Sequence, residues 1–122
     1  MSAATGLRRF ARSDAGVLTA VAALDLLLHV ATNGQYGFQG FGSRLTIDHN
    51  EVTGNNTDNW EARRASCGCT GGAKFWDVNG ATITSNYVHG NRGPGLWADT
   101  NNRSFDVERN YIADNQGQGF IY

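Results

Sequence analysis

One proline, two cysteines and a formal net charge of −1 in 122 residues leave several classes of protein without support. A nearly balanced charge makes no basic field, so nucleic-acid binding has nothing electrostatic to draw on. Cys67 and Cys69 are separated by a single Gly. A disulfide between them would close a strained small ring, and no third or fourth ligand at metal spacing lies nearby. The expectation is therefore two loop thiols without a role, and no metal site. Carboxylates at Asp58, Asp77 and Asp99 leave Ca2+ as a candidate ion, but no EF-hand-like or nonapeptide repeat accompanies them. No other cofactor is expected. The one apolar stretch, residues 17–31, is too short to span a bilayer and contains Asp25.

What the chain does have is an internal repeat. LTIDHNEVTGNN (45–56), ATITSNYVHGNR (81–92) and FDVERNYIADNQ (105–116) align without gaps. Ile47, Ile83 and Val107 form one aliphatic column, and Val52, Val88 and Ile112 form another. Two asparagine columns run beside them, Asn50/Asn86/Asn110 and Asn55/Asn91/Asn115. The last two copies are offset by 24 residues (86 to 110) and the first two by 36 (50 to 86). Apolar and polar residues alternate within each copy, which is the period of a strand with one buried face. A copy this short cannot bury that face alone. Stacking copies at the roughly 4.8 Å spacing of paired strands buries a continuous core, so the repeat predicts an all-β solenoid of about four coils. An Asn at each bend tolerates unusual φ/ψ and can hydrogen-bond to the Asn above and below. Sixteen glycines suit such a turn-rich chain.

After the closing Asn a third strand follows. GPGLWAD (93–99) and GQGFIY (117–122) match, and NGQYGF (33–38) matches residues 115–120, so part of another coil precedes the clear copies. KFW (74–76) is aligned with GLW (95–97), and the extra residues of the long copy fall in a loop over 57–72. Loops inserted at one corner of a solenoid are where specificity usually sits.

ATITSNYVHGNRGPGLWADTNN and FDVERNYIADNQGQGF resemble the right-handed parallel β-helix repeat-containing proteins of the pectin-lyase-like superfamily, over residues 33–122. The resemblance implies a right-handed parallel β-helix. It also implies a secreted or cell-surface setting and, for many members, lyase, hydrolase or epimerase action on polysaccharides, although many others have no assigned activity. Two departures stand out. The chain stops inside a strand at Tyr122, which reads as a fragment whose uncapped end would favour self-association. Residues 1–32 lie apart from the repeats. Three readings compete for them: a helix capping the solenoid, with Ser13 or Asp14 as N-cap, a poor signal peptide, or a degenerate coil. The capping helix fits best, because the coil reading puts Asp25 and Leu28 in the wrong columns.

For chemistry, the third strand is the best candidate surface. If Phe75 and Leu96 point inward, alternation sends Trp76 and Trp97 outward on adjacent coils. They then form either a flat platform for sugar rings or a packing surface under the loop. Lys74 and Asp99 share that face, with Glu61 and Arg63 in the loop and Arg92 at the next bend. Such a groove fits an acidic glycan, with Lys74 or His89 handling protons and Asp99 orienting sugar or cation. Two functions follow. One is a polysaccharide lyase or hydrolase, and the other is a non-catalytic structural or glycan-binding segment of a larger protein.

Overall fold

The computed structural model describes residues 29–66 and 68–122. The expected capping helix and signal-peptide readings fall on residues before 29 and lie outside this range. Almost none of the described residues are in helix, and about half are in strands. In chain order these are β1 (His29–Ala31), β2 (Tyr36–Asp48), β3 (Glu51–Thr53), β4 (Gly71–Thr84), β5 (Tyr87–His89), β6 (Leu96–Ala98), β7 (Arg103–Glu108), β8 (Tyr111–Ala113) and β9 (Phe120–Ile121). One short helix, α1 (Trp60–Arg63), sits in the long loop.

All pairings are parallel. One sheet runs β1-β3-β5-β8 and the other β2-β4-β6-β9, with β7 also on β4. The chain passes back and forth between the sheets, with β6 and β7 following one another in the second, and adds parallel strands to the stack at each return, as the repeat predicts. Ile47, Ile83 and Val107 are in direct register, as are Val52, Val88 and Ile112. Val30 pairs with Val52, so the stack reaches back to His29. Between the sheets, Val52, Phe75, Val78, Ile83, Val88 and Leu96 are fully buried or nearly so. Phe38 and Phe105 meet Phe75 edge-on, each at 5.8 Å between ring centroids. Burying a side chain of this size stabilises by about 1.5–3 kcal/mol.

The bends follow one rule. A residue in the left-handed region comes first: His49, Ser85 and Arg109 at one corner, Gly54, Gly90 and Asp114 at another. The Asn comes next and bonds to its neighbours in the stack. Asn91 is fully buried. Its Nδ2 donates to Val52 O (3.0 Å) and Asn115 Oδ1 (2.8 Å), and its Oδ1 accepts from the Asn55 N–H (3.0 Å) and Nδ2 (2.8 Å). Asn86 repeats the pattern between Asn50 and Asn110. Asn33 extends the first ladder by one step. Each amide satisfies buried backbone groups that a bend would otherwise leave unpaired, which offsets the strain of the preceding residue. Asn102 starts a further corner of the same kind, accepting from the Val78 N–H and donating to Phe75 O.

Candidate functional site

The register corrects the alignment of the third strand. Leu96 pairs with Ala73 and Trp97 with Lys74, so GAK rather than KFW is the counterpart of GLW. The reason is steric. A Cβ on Gly72 or Gly95 would lie 3.0 or 2.9 Å from the Nδ2 of Asn91 or Asn115. Each ladder Asn lies against the glycine of the preceding coil, Asn55 against Gly37, Asn91 against Gly72 and Asn115 against Gly95, and this fixes Gly72 opposite Gly95. The two tryptophans are consequently not neighbours. One extra residue in β4 shifts the pairing between Gly40 and Gly42. Trp76 turns there to stack on the exposed Phe41, with centroids 6.3 Å apart.

The outward column on this face is Gln39, Lys74, Trp97 and Ile121. Lys74 is 8% exposed. Its Nζ lies 2.7 Å from Asp99 Oδ2 and 4.1 Å from the centre of the Trp97 ring, and it donates to the Gly68 carbonyl. These are the contacts of a paired ammonium. The Tyr36 hydroxyl, 3.3 Å away, donates to the same carbonyl. Burial, reinforced by the charges of Asp99 and Glu61, pushes the Tyr36 phenol up to about 12.

The loop is therefore drawn down onto the sheet at Gly68, and a cleft of about 350 Å3 opens beside it. Trp97 and Ile121 form part of its lining from the sheet, and Glu61 and Asn59 from the loop. Arg92, Gln116 and Gln118 come from the bends of later copies. Asn56 anchors the start of the loop, its Nδ2 donating to Arg92 O (2.6 Å) and its Oδ1 accepting from Trp60 N (2.9 Å). Cys69 is disulfide-bonded, which corrects the expectation of role-free thiols. The sequence contains one other cysteine, Cys67, which lies outside the described residues.

Of the residues singled out in the sequence, Trp97, Glu61 and Arg92 meet in this cleft, with Lys74 and Asp99 directly behind it. Arg63 is exposed on α1, away from the cleft lining. His89 belongs to the other sheet. There its Nε2 sits 2.8 Å from Glu51 Oε1 and its ring stacks on Tyr87 at 3.8 Å. The hydrogen bond from His89 holds the Glu51 carboxyl below the usual glutamate range. Asp77 accepts from Asn101 Nδ2 at 3.0 Å. Among the described residues, no three His, Cys, Asp or Glu side chains are grouped to hold a metal ion. Sequence reasoning missed Tyr36, Gln116 and Gln118. The match of NGQYGF to residues 115–120 places Tyr36 and Gln118 in one column, and that was the available signal.

Residues 24–122 match the family described as the right-handed beta helix region. The chain belongs to the right-handed β-helix family. Neither a curated protein nor a solved structure matches it. Members of a β-helix family share a scaffold that serves carbohydrate-active and structural roles alike, so the cleft has to carry the functional argument for this β-helix protein. Among its described residues, no helix is long and apolar enough to cross a membrane.

Proposed function

We propose that this β-helix protein is a glycan-binding segment of a larger secreted or cell-surface protein. In this reading it is a right-handed solenoid of about four coils with an N-terminal cap, and it holds its ligand in the cleft between the 57–72 loop and Trp97. The observation that carries the reading is the lining of that cleft. A half-buried indole lies in it beside the amides of Asn59, Gln116 and Gln118. An aromatic face takes the apolar side of a sugar ring, while side-chain amides both donate to and accept from its hydroxyls.

Charge refines the ligand class. Among the described residues the cleft lining carries one cation, Arg92, and one carboxylate, Glu61, while Lys74 is already paired with Asp99. That balance favours a neutral glycan over the polyuronate expected from sequence. Binding is also favoured over catalysis. Canonical hydrolysis of a glycosidic bond requires two carboxyl groups flanking it. Among the described residues Glu61 is the one carboxylate lining the cleft, and His89 is on the other sheet.

A glycan array with the wild-type chain, Trp97→Ala and Trp76→Ala tests this. Neutral oligosaccharides should bind, and Trp97→Ala should cost about 1–3 kcal/mol of affinity, in the range of a buried aromatic anchor. Trp76→Ala, outside the cleft, should bind as wild type. Preference for oligogalacturonate would restore the acidic-glycan reading. Unchanged binding by Trp97→Ala would remove the site.

A further inference from the structure

Lysine occurs at one level of the outward column whose other members are Gln39, Trp97 and Ile121. That level is also the one that follows the inserted loop. Lys74 is nearly buried and its charge is met by Asp99, the residue just after the next strand of the sheet, at 2.7 Å. Its remaining polar contact is not with the cleft but with the Gly68 carbonyl of the loop, where the Tyr36 hydroxyl also donates. A carbonyl has two lone pairs, and both are used here by donors from different strands. Gly68 has φ +55°, and a Cβ there would lie 2.9 Å from the Trp97 ring. The loop backbone is thus seated directly on the indole that lines the cleft.

We propose that Lys74 and Tyr36 are positioning residues, which latch the loop to the sheet through the Gly68 carbonyl and thereby set the width of the cleft. The proposal rests on reading the cleft as the glycan site. It assigns Lys74 to holding the cleft open at a fixed size rather than to moving a proton. A charged latch suits this task, because a hydrogen bond to an ammonium is stronger than a neutral one and is buried away from competing water.

Arg63 and Arg64 are exposed in the loop and offer trypsin a direct readout. In the full chain, Lys74→Met should speed cleavage after these residues at least about tenfold, and Tyr36→Phe by less, since a neutral bond is lost. Cleavage after Arg109 and the thermal unfolding midpoint should stay near wild type. Lys74→Arg keeps a cation within reach of Gly68 and Asp99 and should restore protection. Affinity for cellohexaose, or for whichever neutral hexasaccharide the wild type binds best, should fall in Lys74→Met and recover in Lys74→Arg. Equal cleavage rates in Lys74→Met and wild type would overturn the latch. An opened loop with unchanged affinity would overturn its role in setting the cleft. If Trp97→Ala binds normally, the glycan reading fails separately, and the protease result still decides whether the latch exists.

Discussion

The same corner is built twice, at very different length. From Asn91 to Gly95 the chain takes four residues, and from Asn55 to Gly72 it takes seventeen. Both asparagines are buried, both close the same ladder, and both glycines accept a ladder amide where a Cβ would otherwise stand. Between those fixed points the short version is a bend and the long version is a loop with its own helical turn and disulfide-bonded Cys69. The difference teaches that register is carried by the Asn and Gly on either side of the corner, not by the segment joining them. The connecting chain is consequently free to vary, and a binding loop can be added without disturbing the stack.

If the ladder carries register, breaking it should have the largest effect. Asn91→Ala removes four hydrogen bonds in a dry site and takes from the Asn55 N–H the Asn91 Oδ1 that it donates to. The expected loss is about 3 kcal/mol or more, measured as a lowered urea midpoint. The glycine side of the same corner should come next. Gly95→Ala would put a Cβ 2.6 Å from Gly119 O and 2.9 Å from Asn115 Nδ2, both held by the stack. Overpacking of this kind costs about 1–3 kcal/mol. Gly54→Ala supplies the contrast. Unlike Gly95 it is left-handed, at φ +60°, and its nearest neighbour is 3.9 Å away. Only the backbone penalty of about 1–2 kcal/mol remains. Equal losses at Gly54 and Gly95 would mean that the ladder does not dictate the corner.

The ladders and aliphatic columns were legible in the sequence because each depends on one residue type at one position, repeated. Ile47, Ile83 and Val107 could be read in register since nothing else fits a buried strand position between two bends. The pairing of Trp97 with Lys74 was not legible from side-chain likeness. Phe and Trp look equivalent to Leu and Trp, whereas the position is decided by the space an Asn amide takes from Gly72. The cleft was half legible. Trp97, Glu61 and Arg92 were visible as residue types. The pairing of Lys74 with Asp99 and the loop's return onto Lys74 at Gly68 were not, because no periodicity encodes that return.

The long corner should behave as an addition. Trp97→Ala removes the ring under Gly68 along with the cleft's aromatic wall. Because Trp97 faces outward and is half-buried, its loss should cost about 1–2 kcal/mol of stability, less than Asn91→Ala. A larger loss at Trp97 than at Asn91, compared by urea midpoint, would mean that the loop helps to hold the stack.

The smallest effect belongs to the outer face of the other sheet, away from both corners. Glu51 accepts from His89 Nε2 at 2.8 Å and faces His29 Nε2 at 3.8 Å. Its carboxyl is held below its ordinary value of 4.5, chiefly by the His89 hydrogen bond and secondarily by the two histidine charges. A depressed folded-state value means that the unfolded chain binds the proton more readily. The stabilisation is therefore present above pH 4.5 and is lost as the pH falls through the lower folded-state value. Asp48 adds to the slope in the same direction, held down by its hydrogen bonds from Thr84 and His49. Urea midpoints measured from pH 6 to pH 3 should fall for the wild type, and less steeply for Glu51→Gln, while the Asn91→Ala deficit stays constant across the series. Asparagine amides do not titrate in this range, so a deficit that grew on acidification would show the ladder to be coupled to the charged face rather than independent of it.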